Sequence, residues 1–185
     1  MNEQITPKKE AGHRNLWIAL LGVLVLLIAG FLVWAYLNNR ATQLGPDHSQ
    51  SFAILSRDHI NPGDPHPPYN SNPPTSGWHY PNPADETFYD HSLPDEQVVH
   101  NLEHGDIWIS YRHGVSQDVV SALKSLAGGY VIVTERDTDD HDVALAAWGR
   151  LDTFNLENGK LDMKRVQDFI TRYKNQGPEK VPHHT

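Results

Sequence analysis

DIWISYRHGVSQDVVSALKSLAGGYVIVTE, residues 106–135, changes its hydrophobic period twice, and that change decides the fold. Asp106 to Tyr111 alternates and is rich in β-branched and aromatic residues, which predicts a strand. From Ser116, a residue able to cap, Val119, Val120, Leu123, Leu126 and Ala127 recur at helical spacing, Asp118 suits the first turn, and Gly128-Gly129 marks the end. Tyr130 to Glu135 then reads as a second strand.

Working outward towards the C-terminus, Asp137 to Asp142 is an acidic turn, and Val143 to Arg150 predicts a third strand. The short connection makes that strand antiparallel to the second. A last helix is expected from about Asp162 to Lys174, with Met163, Val166, Phe169, Ile170 and Tyr173 on its buried face and Gly177-Pro178 as its stop. Strand, helix, strand, strand, helix implies an α+β domain: a small mixed or antiparallel sheet with two helices on one face.

Upstream the grammar changes. Ten of the 13 prolines lie between Pro46 and Pro94, and NPGDPHPPYNSNPPTSGWHYPNP (residues 61–83) cannot sustain a helix or a central strand, because each proline removes a donor and fixes φ. Tyr69, Trp78, Tyr80, Phe88 and Tyr89 give this segment more aromatic mass than a solvated linker carries, so an irregular wrap laid on the domain is expected rather than a free stalk.

Further upstream, residues 16–37 (LWIALLGVLVLLIAGFLVWAYL) form 22 positions without a charge. At ~1.5 Å per residue that run crosses a ~30 Å hydrocarbon layer as one helix. Trp17, Trp34 and Tyr36 stand where interfacial rings belong. A cleaved signal peptide is the rival reading, but the apolar run is longer than such a leader needs and Asn38-Asn39-Arg40-Ala41 offers no small-residue cleavage site. Lys8, Lys9 and Arg14 precede the helix and only Arg40 follows closely, which predicts a cytoplasmic N-terminus and a C-terminal domain outside the cytoplasm. The expected divisions are therefore 1–15 cytoplasmic, 16–37 transmembrane, 38–68 linker and start of the proline-rich segment, 69–176 the α+β domain, and 177–185 a flexible tail whose two histidines, His183 and His184, are incidental.

The chain has 185 residues and a formal charge of −8. Its first 40 residues hold four basic and two acidic side chains, which leaves the remainder at −10. Such a domain repels anionic headgroups and is no nucleic-acid partner. Cysteine is absent, so disulfides, thiolate metal sites, iron–sulfur clusters and cysteine nucleophiles are excluded, and a thiol-free domain suits an oxidising exterior. Neither a nucleophile elbow nor a glycine-rich phosphate loop is present.

What remains is histidine. Eight of the 12 fall between His48 and His113, and His48, His59, His66, His91, His113 and His141 sit among loop-forming residues as expected surface side chains. The informative string is VVHNLEHG, residues 98–105, formally H-x-x-E-H. On a helix, His100 and His104 would share a face and Glu103 could act as a general base, the arrangement of inverzincin peptidases. The paired valines and the strand at Asp106 favour a strand, tight turn and strand instead, which still brings the two imidazoles together. His79, presented by the turn in PPTSGWHYP (residues 73–81), is the natural third ligand. With no thiolate available, imidazoles plus a carboxylate suit Zn²⁺ or Cu²⁺. The bland alternative is that these side chains only satisfy buried backbone groups.

The strings PPTSGWHYP and VVHNLEHGDIWISY, with ALAAWGR at residues 144–150, resemble the bacterial family catalogued as domain of unknown function 3105, over about Tyr69 to Tyr173. That resemblance implies kinship and frequent membrane or lipid anchoring rather than an activity. It singles out His79, His100, Glu103, His104, Trp148, Gly149 and Arg150. The residues point to binding rather than catalysis: an anchored outer domain holding a Zn or Cu ion at His79, His100, His104 and Glu103, for metal handling or protein maturation. The alternatives are an accessory subunit docked on a membrane protein complex through the proline- and aromatic-rich segment, testable at Trp78 and Tyr80, and a metallopeptidase.

Overall fold

The computed structural model describes residues 11–41 and 44–181, with side chains from 15–36 and 44–181. The expectations placed on Lys8, Lys9, Arg14, Arg40, His183 and His184 lie outside the described side chains. Two compact units result, residues 1–44 and 45–185.

In the first unit, α1 (Ala11–Ala41) contains the apolar run. Its Asn15–Tyr36 portion is long and apolar enough to cross a membrane, and none of it is buried in protein. Rings and branched side chains such as Trp17, Leu26 and Phe31 are open to the surroundings. An exposed apolar surface of this extent requires a lipid or protein environment.

The second unit is an α+β domain built on a six-stranded mixed sheet. Its elements are β1 (Gln50–Ser51), β2 (Phe88–Tyr89), α2 (Asp95–His104), β3 (Ile107–Tyr111), α3 (Gln117–Lys124), β4 (Val131–Glu135), β5 (Val143–Ala147), β6 (Arg150–Phe154) and α4 (Met163–Tyr173). The strands lie in the order β1-β6-β5-β3-β4-β2. β3 and β4 are parallel, in register from Ile107 opposite Val131 to Tyr111 opposite Glu135, as a connection through α3 demands. β2 adds a parallel edge to β4.

β5 runs antiparallel to β4, as expected, though it does not pair with it, and two other expectations are corrected here. β5 pairs antiparallel with β3, not with β4, because the acidic turn carries the chain across β3 to its free side. The run 143–150 is also not one strand. Trp148 and Gly149 form a turn, with Gly149 at φ +69°, and Arg150 begins β6, which returns antiparallel to β5. α3 stops at Lys124, before the glycine pair.

Alternation along β3, β4 and β5 feeds two cores. On one face Ile107, Ile109, Val131, Val133, Val143 and Leu145 pack against Val119 and Leu123 of α3 and Val166 and Phe169 of α4. These are the two helices expected on one face. On the other, Trp108, Ile132, Ala144, Ala146 and Leu151 pack against Val98 and Leu102 of α2, with Phe52, Tyr89 and Trp148 at the margin. Each fully buried aliphatic side chain is worth about 1.5–3 kcal/mol.

The proline-rich segment is ordered and lies on this second face, with Pro73 to Gly77 buried and a cis peptide bond at Asn72-Pro73. It hangs on the β5–β6 turn through Gly149 N–H to the Thr75 carbonyl at 3.0 Å. Buried Arg136 ties it in further, donating to Asn72 Oδ1 at 2.6 Å, to both oxygens of Asp95 at the start of α2, and to Asp139 Oδ1 at 2.6 Å.

Candidate metal centre

The VVHNLEHG string is a helix. The expectation of a strand and tight turn there is overturned, because Val98 and Leu102, four residues apart, both face the sheet and are fully buried. Pro94 stands at the N-cap, Asp95 and Glu96 occupy the first turn, and Gly105 ends the helix at φ +98°. Gly105 is obligatory by space as well as by φ, since a Cβ there would stand 2.8 Å from the Gly177 nitrogen and 2.9 Å from Asn175 Cα.

The face of α2 turned from the sheet carries His100, Glu103 and His104 into the proline-rich wrap. Asn101 fixes the distance between the two bodies. Its Oδ1 accepts from Ala84 N–H at 2.8 Å, and its Nδ2 donates to the Ala84 carbonyl at 2.9 Å and to Asp106 Oδ2 at 2.9 Å. Tyr80 N–H donates to the Glu96 carbonyl at 3.1 Å. In the wrap, Gly77 adopts φ +132° and lies under the Tyr69 ring, whose hydroxyl donates to the Trp78 carbonyl at 2.7 Å. That turn projects His79 inward until it is fully buried.

His59 arrives from a third segment. It forms a parallel bridge with His79, closed by Ile60 N–H to the His79 carbonyl at 2.8 Å. His59, His79 and His100 thereby each offer a ring nitrogen, all within 4.8 Å of one another. Their rings pack edge-on or stacked with centroids 4.8–5.1 Å apart. His104 joins through His100, its Nε2 3.0 Å from His100 Nε2.

The outer nitrogens decide the tautomers. His79 Nδ1 lies 2.7 Å from the Gly77 carbonyl and His100 Nδ1 lies 2.5 Å from the Tyr80 carbonyl. A carbonyl can only accept, so both Nδ1 atoms carry the proton and both Nε2 atoms turn inward. Backbone carbonyls orienting the far nitrogen are the usual outer support of a ligating imidazole. Burial holds His100 below its ordinary pKa against the opposing pull of the Tyr80 carbonyl, and the neighbouring imidazoles push the same way as burial. It therefore favours the neutral ring that a cation needs.

Glu103 is buried beside them, with a side chain 2% exposed. Arg57 Nε donates to Oε1 at 2.5 Å. His79 Nε2 stands 3.0 Å from Oε2 yet makes no hydrogen bond. Burial pushes the Glu103 carboxyl up, but Arg57 and the imidazoles outweigh it and hold the pKa below the ordinary value.

The structure thus brings His79, His100, Glu103 and His104 into one neighbourhood and adds two residues that sequence reading left out, Arg57 and His59. No local period links position 59 to position 79, so no sequence signal announced it. His59 is exposed, as expected from the sequence, whereas His66 is partly buried rather than solvated, stacked by Trp78 and 3.2 Å from Glu96. Trp148 and Gly149 form the turn that supports the wrap, Arg150 begins β6, and its guanidinium lies over the Tyr173 ring. A second cluster, His113 with Glu135 and Asp137, has an exposed imidazole paired with Glu135 at 2.6 Å. Salt screening makes such a pair weak.

Comparison with curated proteins and with solved structures finds no match. A family profile matches residues 64–185, which takes in the wrap from Asp64 onward, α2 and the whole sheet except β1, and begins after Arg57 and His59. By that match over more than half its length, the chain belongs to the family described as protein of unknown function DUF3105.

Proposed function

We propose that the domain binds one Zn²⁺ or Cu²⁺ ion through His79, His100 and His104, with His59 and Glu103 completing the set, and serves metal handling or protein maturation outside the cytoplasm. The observation that carries this reading is the pair of buried imidazoles whose Nδ1 protons are given to backbone carbonyls while their Nε2 atoms stand 3.0 Å from Glu103 Oε2, for His79, and 3.0 Å from His104 Nε2, for His100. A structural role alone leaves the buried His79 Nε2 without a hydrogen bond beside a carboxylate oxygen, an arrangement a cation relieves. Ligating nitrogens at ~2.0–2.1 Å from one ion stand roughly 3.3 Å apart. His59, His79 and His100, whose ring nitrogens lie within 4.8 Å of one another, therefore close by up to about 1.5 Å on loading. Imidazole with carboxylate and no thiolate suits Zn²⁺ and Cu²⁺.

The N-terminal helix supports anchoring in a membrane, and the basic residues ahead of it support an outward-facing domain. The peptidase reading gains the helix it needed, but Glu103 is held by Arg57 and shut from water, which suits a charge-compensating role better than a general base.

The test is metal analysis and calorimetric titration of the full-length chain purified in mild detergent. One equivalent of Zn²⁺ or Cu²⁺ is expected, abolished in a His79→Ala/His100→Ala variant that still melts cooperatively. A wild-type protein that takes up neither ion, or a double variant that binds as well, defeats the reading. Fusion of a periplasm-active reporter after the last residue tests the orientation.

A further inference from the structure

We propose that Arg57 is the built-in counter-cation of this centre: it holds the Glu103 carboxylate until a divalent ion displaces it, and the exchange selects doubly charged over singly charged ions. The inference rests on the metal reading above and deepens it by naming the class of ion and the group that leaves.

Glu103 is too buried to remain ionised without a positive partner, and the partner present is Arg57. The two ends of that pair differ. The carboxylate is 2% exposed, whereas the Arg57 side chain is 50% exposed and sits on irregular chain beyond β1. A released guanidinium therefore returns to water at little cost. A second carboxylate, Glu179, already acts electrostatically on Arg57, and its segment is pinned to the end of α2 by Glu179 N–H to the Glu103 carbonyl at 3.1 Å.

The other carboxylate oxygen already faces His79. Oε2 stands 3.0 Å from His79 Nε2, whose Nδ1 is turned to the Gly77 carbonyl, so a carboxylate oxygen and a ring nitrogen face one another with no hydrogen bond between them. That is the pair a cation bridges.

Charge then sets the selectivity. The permanently charged groups at the centre are Glu103 and Arg57, which cancel, with Glu179 beyond, and an imidazole that takes an ion does so in its neutral form. A divalent ion added to a neutral buried cluster is repelled by the guanidinium and needs the carboxylate. Departure of Arg57 meets both needs at once. A singly charged ion feels half the repulsion and is satisfied by imidazoles alone.

The experiment is calorimetric titration of Zn²⁺ and Ag⁺, as nitrates in chloride-free buffer, into detergent-purified full-length wild type and Arg57→Gln. The variant is expected to bind Zn²⁺ at least tenfold more tightly than wild type and Ag⁺ no more than about threefold more tightly, half the logarithmic gain. Equal or weaker Zn²⁺ binding by a cooperatively melting Arg57→Gln overturns the proposal, and so does an equal gain for both ions. If Arg57→Gln does not fold, Glu103→Gln takes its place: tenfold or greater loss of Zn²⁺ affinity with Ag⁺ nearly unchanged is expected, and retention of Zn²⁺ affinity overturns the proposal. Failure of wild type to bind either ion defeats the metal reading itself, whereas wild-type binding without these differences defeats only the role of Arg57.

Discussion

Replacing Asn101 by alanine separates the two bodies that bear the imidazoles without touching any of them. The side chain is 2% exposed and makes three hydrogen bonds, two of which satisfy both backbone groups of the buried Ala84. Three bonds at about 1 kcal/mol net each give about 3 kcal/mol. Stranding the Ala84 N–H and C=O adds to that wherever water does not reach them, so the expected loss is about 3–4 kcal/mol. Asn101→Asp is one atom different and is expected to cost at least as much at neutral pH. It keeps the acceptor for Ala84 N–H but sets an oxygen against the Ala84 carbonyl and the Asp106 carboxylate. The assay is urea unfolding in mild detergent followed by the buried Trp108, with amide exchange at Ala84 as a local reporter. Zn²⁺ affinity is expected to fall with stability, because His79 lies on the wrap and His100 on α2. A loss below about 1 kcal/mol for Asn101→Ala, or a benign Asn101→Asp, refutes the reasoning.

Three further outcomes follow from features away from the imidazoles. Arg136→Met leaves Asp139, whose carboxyl burial already pushes above its ordinary pKa, without its guanidinium, and should cost about 3–5 kcal/mol in the same unfolding assay. Gly105→Ala forces a Cβ at φ +98° into the backbone of residues 175 and 177 and should lower stability by about 1–3 kcal/mol, with increased exchange of the Asn175 amide, which donates to the Gly105 carbonyl at 2.7 Å. Burial pushes the Asp47 carboxyl up, but hydrogen bonds from the Tyr173 hydroxyl and Ser49 overcome it and lower its pKa from 3.8 to about 2. A carboxyl depressed in the folded state contributes stability above pH 3.8 that is lost as the pH falls towards 2. An NMR titration should therefore show Asp47 protonating near pH 2, and Tyr173→Phe should move its midpoint up towards 3.8.

The regular half of the domain was legible because its periods are local. β3, α3, β4 and α4 lie within a few residues of where alternation and helical stripes placed them, and the two stripes pack on one face as expected. The partner of β5 was not legible, since a short acidic turn fixes direction but not which side of β3 the chain takes. α2 was misread because two adjacent valines weighed more than the stronger grammar around them, with a proline and two acids at the start and a glycine ten positions later. At the candidate centre, His79, His100, Glu103 and His104 were visible from their strings. His59 and Arg57 were invisible because a bridge across 20 residues of irregular chain leaves no period.

The pairing pattern also sets an order of events. β1 closes on β6, with Gln50 opposite Leu151, and β2 closes on β4, with Phe88 opposite Val133. β1 thus waits for a strand about 100 residues later and β2 for one about 45 residues later, non-local pairings of the slow-folding kind. The prolines between β1 and β2 deny neighbouring chains a ladder to extend. A nascent polypeptide that must idle is in this way guarded against sticking to its own kind.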